Sequence, residues 1–380
     1  MQSVGMFLQP IVYMKKKRWH NGCKGFSTRQ AQLELRPLNF AHLIRQLAEA
    51  SPADTPLTEE QSERLFSAAL DGGIPDLELG ALLTTLSGQH LSPGALMGLH
   101  RATSVRSFSL PTPRSGARPI VIPAYGGART RHNLLPLLAL LLRRLEIPVL
   151  VHGTLESSGG VACAYILREL GVLPCATLAQ AEQALEQHLL AFVPLALLSP
   201  GLANLLALRT RLGIPNPAQL AIKLLEPFAG HGVALIGAGS EERVSQLANL
   251  LMQTAQTALL LRSCEGEPFA DPQQRPQIDW FEQGRRETLF EAEVGSVKTV
   301  AGLPSSIDAH ATAGWIERAM SGEVPIPHPL VNQLACCLYA GAYTDDMNQA
   351  KAIAAVETGS LSTGRPSRSA KAQIVHRAAT

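Results

Sequence analysis

The sequence predicts an α/β protein: a small all-helical N-terminal domain, then a larger α/β domain with a mainly parallel sheet flanked by helices. Three observations lead there. Residues 39–106 show only helical spacing of apolar side chains, strand-like apolar runs begin at Pro119, and from that point strands and helices alternate. A strand that reaches the next strand through a helix must cross over, so neighbouring strands run parallel and both sheet faces are covered.

In the helical part, "FAHLIRQLAEA", "TEEQSERLFSAALDGG", "PDLELGALLTTLSGQ" and "SPGALMGLHRATSVR" each place apolar residues three and four apart. Thr58 and Ser92 stand where N-caps belong. The apolar faces exceed what four short helices bury among themselves, which predicts a homodimer formed through this domain. The domain is read as residues 36–106, joined by a later segment at about 201–226. "SFSLPTPRSGAR" (107–118) is a linker by composition.

The α/β domain takes 119–200 and 227–358. "PIVIPA" reads as a strand, "NLLPLLALLLRRL" as a helix, "IPVLVHG" as a strand and "GVACAYILRELG" as a helix. Then come the strand-like "AFVPLALL", the helix "PGLANLLALRTRLG", and strand, loop, helix, strand over "HGVALIGAGSEERVSQLANLLMQTAQTALLLRS". Three helices follow, near 306–320, 328–340 and 345–357. At the front, residues 1–35 put the basic cluster Lys15 to Arg18 behind an apolar stretch, the reverse of a secretory signal. They read as a flexible extension, or as an upstream start included in error. Residues 359–380 read as a disordered basic tail.

Composition narrows the function classes. Of 380 residues 46% are hydrophobic, ample for a buried core, which excludes wholesale disorder. The net charge of +2 means that any polyanion-binding role rests on a local patch. None of the six cysteines falls in a C-x-x-C pair, and Cys336-Cys337 sit in an apolar helical run as core. That usage fits a reducing cytoplasm and gives zinc no support. The longest apolar runs, 134–142 and 189–198, are about half of the ~20 residues that span a bilayer. A soluble, cytoplasmic protein with no membrane partner is expected.

The stretch "IVIPAYGGARTRHN" (120–133) carries the first candidate site: strand, double glycine Gly126-Gly127, then a helix start. Exposed N–H groups and the helix dipole favour an anion there, although a tight turn needing positive φ gives the same residues. From Arg101 to Val151 there are eight arginines and one carboxylate, Glu146. Solvated helix faces normally mix signs, whereas arginine forks suit phosphate oxygens. "VHGTLESSGG" (151–160) also ends a strand, with Thr154, Ser157 and Ser158 as donors for phosphate or ribose. Its His152 is a ligand, a catalytic group or, more simply, a structural histidine. "LIGAGSEER" (235–243) is half a dinucleotide fingerprint without the third glycine or a ribose-holding acid, so no NAD site is read there. "RSCEGEPFADP" (262–272) offers Glu265, Glu267 and Asp271 as magnesium ligands or as an ordinary solvated loop, and the loop is favoured.

The order of these parts resembles anthranilate phosphoribosyltransferase and its relatives, the family-3 glycosyltransferases, over residues 38–358. "AYGGARTRHN", "VHGTLESSGGVACAYILRELG", "RLGIPNPAQLAIKLLEP" and "CEGEPFADP" carry the likeness. It implies a nucleoside phosphorylase/phosphoribosyltransferase-like fold and pentosyl transfer. The departures are specific. The family's diphosphate loop G-T-G-G-D reads Ala124-Tyr125-Gly126-Gly127-Ala128 here, and the lysine of its K-H-G is Val151. Its acidic metal-binding pair corresponds at best to Glu265-Gly266-Glu267, a weak metal candidate. Stabilising a leaving pyrophosphate needs such groups. The combination resembles the YbiB-type branch, which implies a homodimer that keeps the fold, lacks transfer activity and binds nucleic acid with little sequence preference.

Two functions follow. One is a non-enzymatic, sequence-nonspecific nucleic-acid binder, DNA or RNA, that needs no cofactor and contacts backbone phosphates. Its expected contacts are Gly126, Gly127, Arg129, Arg131 and His132, with Arg143, Arg144, Arg209, Arg211 and Lys223. His152, Gly153, Thr154, Ser157 and Ser158 then form a vestigial substrate site with no catalytic residue. The other is an active pentosyltransferase that uses those same residues and Glu265/Glu267.

Overall fold

The computed structural model describes residues 39–50, 57–87, 91–157, 159–263 and 265–359. The extension at 1–35, the tail from 360 onward and Ser158 lie outside them.

Four helices lead: α1 (Phe40–Glu49), α2 (Glu59–Leu70), α3 (Asp76–Ser87) and α4 (Pro93–Val105). Thr58 and Gln61 form a reciprocal capping box, each side chain accepting the other's backbone N–H. Ser92 accepts from Ala95 N at 3.2 Å and sets Pro93 in the first turn of α4.

The sheet has seven strands in the order β3-β2-β1-β4-β5-β6-β7. They are β1 (Ile120–Ala124), β2 (Val149–Gly153), β3 (Leu190–Pro194), β4 (Val233–Ala238), β5 (Ala258–Arg262), β6 (Ile278–Glu282) and β7 (Arg285–Phe290). The first five are parallel, and β6 and β7 add an antiparallel hairpin. The crossover helices are α5 (Leu135–Arg144), α6 (Cys163–Glu169), α7 (Leu178–His188), α8 (Leu195–Leu198), α9 (Pro200–Leu212), α10 (Ala218–Ala221) and α11 (Glu241–Thr254). Helices α12 (Ala309–Ser321), α13 (His328–Ala340) and α14 (Met347–Glu357) close the chain.

Strand alternation divides the core. Ile120, Ile122, Val149 and Val151 point to one face, against α5 and α13 residues such as Leu138 and Leu334. Ala234, Ile236 and Leu260 point to the other, into a cluster that also holds Leu65 and Leu96 of the leading helices and Leu202 and Leu206 of α9. Much of the surplus apolar face on the leading helices is therefore covered within the chain. Cys336 and Cys337 are fully buried, as expected of core residues.

Three local readings change. The run "AFVPLALL" is a strand only as far as Pro194, after which Leu195–Leu198 turns helical. Helix α7 and the β6–β7 hairpin had no counterpart in the sequence reading. Among the described residues no helix is long and apolar enough to cross a membrane.

Chain order fixes where a ligand belongs. The chain winds outward from β1 through β2 to β3, then returns to lay β4 on the other side of β1. Loops at the carboxyl ends of β1 and β4 therefore diverge and leave a crevice, the usual ligand position in such sheets.

Candidate anion-binding cleft

A cleft of about 710 Å³ occupies that crevice. The loop after β1 supplies Tyr125, Gly126, Gly127, Arg129 and Thr130; α9 and the segment after it supply Arg209, Asn216 and Lys223. Gly239 and Arg243 come from the end of β4 and the start of α11, and Glu265 and Gly266 from the loop after β5.

The glycine loop is shaped by close approach. Gly127 has φ +69°, and a Cβ on it would lie 2.6 Å from the Ser157 Cβ. Gly153, paired with Ala124 across β1 and β2, is tighter still: a Cβ there would fall 1.6 Å from the Ala124 carbonyl oxygen. Only glycine lets the two strand ends run this close, so the loop after β1 and the turn after β2 lie side by side. Thr154 N donates to Ala124 O at 3.1 Å and Thr154 Oγ1 to Tyr125 O at 3.3 Å. Ser157 Oγ bonds the backbone of Gly160, so it braces its own turn.

The loop's amides already hold an anion. Glu267, 1% exposed, places Oε1 at 3.2 Å from Tyr125 N, 2.6 Å from Gly126 N and 2.8 Å from Gly127 N. Glu265 takes the next amides, from Arg129 N at 2.5 Å and Thr130 N at 2.9 Å, together with the Thr130 hydroxyl. The sequence offered Gly126 and Gly127 to a phosphate; in the structure a carboxylate of the same chain sits there. Burial raises the Glu267 pKa, against the amide bonds and Lys223, which favour its charged form. Burial also works against ionised Glu265, but the bonds from Thr130 and the two amides outweigh it and hold its pKa low. Glu267 Oε2 is buried with no hydrogen-bond partner.

These commitments leave magnesium poorly served. Glu267 Oε1 accepts three bonds, both Glu265 oxygens accept backbone donors, and only the buried Oε2 remains. A hard dication prefers several unencumbered oxygens, so Glu265 and Glu267 do not fit one. No cluster of three or more metal-type ligands is present among the described residues.

Cations line the rest of the cleft. Arg209 is 8% and Lys223 6% exposed, and both stand over the Tyr125 ring, 5.5 Å and 5.8 Å from its centroid. Arg209 donates to Tyr125 O at 2.5 Å and Lys223 to Gly237 O, so each is tied to a main-chain carbonyl. Burial brings the Lys223 pKa down to about 8, with nearby Glu267 opposing and Arg243 adding to the shift. Arg209 is shifted down by burial as well. Tyr125 has its phenol pKa raised by burial.

The structure thus gathers Arg129, Arg209 and Lys223, and adds Arg243, which the sequence reading did not single out. Its position in the first turn after the β4 loop was the available signal. Other expected contacts lie elsewhere. His132 is buried and its Nε2 is 3.2 Å from Ser306 O, so it faces the interior. Arg131 pairs with Asp271 at 3.6 Å. Arg143 and Arg144 sit at the far end of α5, a helix of ten residues, about 15 Å along the helix from its start, and neither lines the cleft. At that end Arg144 pairs with Glu357. Arg211 is exposed and does not line the cleft. His152 is buried beneath the site with Nδ1 unpartnered, and burial takes its pKa down to about 3.

Among known proteins the chain is similar to the uncharacterized protein YbiB of Escherichia coli (strain K12). It is 34% identical over 304 residues, covering 80% of this chain and 94% of that protein. It is also 28% identical to anthranilate phosphoribosyltransferase of Synechococcus sp. (strain JA-2-3B'a(2-13)) over 215 residues, 55% of this chain and 61% of that enzyme. The solved anthranilate phosphoribosyltransferase from Thermus thermophilus superposes with a TM-score of 0.67 at 20% identity, covering 84% of this chain and 94% of that one. The Saccharomyces cerevisiae enzyme in complex with PRPP and Mg gives 0.64 at 13% identity, covering 84% and 93%. These two likenesses are of fold. No family model matches the chain.

Proposed function

The chain belongs to the family of YbiB, built on a phosphoribosyltransferase-like fold, and from that premise we propose that it is a sequence-nonspecific nucleic-acid-binding protein without transferase activity. One observation carries the reading. The amides that would cradle a diphosphate are closed by Glu267, while Arg129, Arg209, Lys223 and Arg243 still line an open cleft. A pentosyl transferase must stabilise a departing pyrophosphate through amides, metal or cations aimed at it. Here the cradle and both carboxylates are engaged with each other. Cations in a cleft retain their attraction for phosphodiesters, and an attraction of that kind is blind to sequence and falls with salt. DNA and RNA are both admitted by this chemistry.

Self-association through the leading helices belongs to the same proposal, with Leu77 and Val105 left largely exposed on α3 and α4. The experiment is a gel shift on arbitrary DNA at low salt beside a thermal-shift assay with phosphoribosyl pyrophosphate and magnesium. The reading expects retardation that fades as salt rises and no stabilisation by the sugar diphosphate. Stabilisation without retardation would return the chain to the enzymes.

A further inference from the structure

We propose that the cleft takes the terminal phosphate monoester of a single nucleic-acid strand, as distinct from the phosphodiesters of a duplex. The inference rests on the nucleic-acid reading and names the form of ligand that reaches this site.

Depth is the first argument. Arg209 and Lys223 are more than nine-tenths buried, beside Tyr125 in the cleft. A duplex presents its phosphates along a rod far wider than such a cleft, so it touches only rim cations such as the exposed Arg129. A strand end is narrow enough to enter.

Charge is the second. Arg129, Arg209, Lys223 and Arg243 line the cleft or its floor, set against the carboxylates of Glu265 and Glu267. Four cations against two carboxylates leave two positive charges. A phosphate monoester carries about −1.5 to −2 near neutral pH, whereas a diester carries one negative charge. Arg209 and Lys223 each donate one hydrogen bond to a carbonyl. Guanidinium and ammonium groups offer five and three donors, so both retain donors for phosphate oxygens.

Size and lining are the third. About 710 Å³ is far more than one phosphate fills, and Leu86, Leu91, Ile214 and Leu220 give the cleft apolar wall. That volume suits a nucleotide, with its base against the apolar residues.

The test compares short single-stranded oligonucleotides of one sequence, with a 5′-phosphate, a 3′-phosphate or neither, by fluorescence anisotropy at physiological salt. A phosphorylated end should bind about tenfold tighter than the hydroxyl-ended strand, the size of one added charge-assisted hydrogen bond. Lys223→Met should abolish that advantage, so that phosphorylated and hydroxyl-ended strands bind that variant alike. Arg243→Gln, at a half-buried side chain bonded to Gln246, should reduce it even if the lysine variant does not fold. Equal affinities for all three ends in the unaltered protein overturn the proposal, as does an advantage untouched by both substitutions. If no oligonucleotide binds at all, the nucleic-acid reading itself has failed.

Discussion

The carboxylate of Glu267 lies 2.6 Å from the amide nitrogen of Gly126, although 141 residues separate the two. That contact, with its companions from Tyr125 and Gly127, fills the glycine loop from within. A strand–glycine–helix layout is read as a phosphate cradle because its N–H groups are unsatisfied. Here the fold satisfies them with its own acid.

Glu267 is therefore expected to be both a structural support and a barrier. Glu267→Ala leaves three amides without their acceptor, at about 1–3 kcal/mol for each group that stays buried and unsatisfied. Differential scanning fluorimetry should show a lower Tm, partly restored by inorganic pyrophosphate entering the vacated cradle. The unaltered protein should show a smaller pyrophosphate-dependent shift, because its cradle is already filled. A shift of equal size in both would mean that the carboxylate does not guard the loop.

Glu267 also sets a pH dependence. Its pKa in the fold is raised above the ordinary 4.5, so its contribution to stability is complete below that value and is lost as pH rises through the folded value. The ionised form carries a burial penalty that Glu267→Gln removes. Urea unfolding should find the glutamine variant's relative stability highest near neutrality and declining toward pH 4.5. A difference that does not change with pH would count against a buried, titrating acid.

His152 acts with the opposite sign. Its pKa falls from 6.5 to about 3 on burial, so its contribution is present above 6.5 and is lost as pH falls toward the folded value. The slope approaches about 1.4 kcal/mol per pH unit inside that window. His152→Gln should flatten acid unfolding between those limits, read by circular dichroism. An unchanged slope would show that some other group drives it.

Gly153 admits no side chain, since a Cβ would fall 1.6 Å from the Ala124 carbonyl oxygen. Gly153→Ala should cost more than about 4 kcal/mol, in the range kept for severe steric or backbone conflict. Loss of soluble protein, or a collapse of Tm, is the expected readout. A variant of normal stability would mean that β1 and β2 separate easily at the site.

Much of the fold was legible because the signals were local. The five parallel strands are short apolar runs, four of them bounded by Gly or Pro, and Thr58 and Ser92 cap helices within three residues of themselves. The hairpin is not legible in the sequence because Arg285, Arg286 and Glu287 leave β7 polar and exposed at the sheet edge, without apolar alternation. Pro194 lies where β3 gives way to helix, inside a run that looked uniformly strand-like. The site was legible as a place and misread in its contents. No local pattern announces that Glu267 reaches back to Gly126, that His132 turns toward Ser306, or that α5 carries Arg143 and Arg144 to the opposite end of the sheet. These facts depend on the packing of distant segments.

On the proposed function, the cationic cleft, and not the basic residues at large, holds a polyanion. The most direct test is the salt dependence of single-stranded DNA affinity by fluorescence anisotropy, for the unaltered protein, Arg129→Ala and the double variant Arg143→Ala/Arg144→Ala. Each phosphate contact contributes about −0.7 to the slope of log K against log salt. Arg129→Ala should weaken binding and make the slope shallower by about one contact, while the double variant should bind within about twofold of the unaltered protein. If the double variant loses binding and Arg129→Ala does not, the cleft is not where nucleic acid is held.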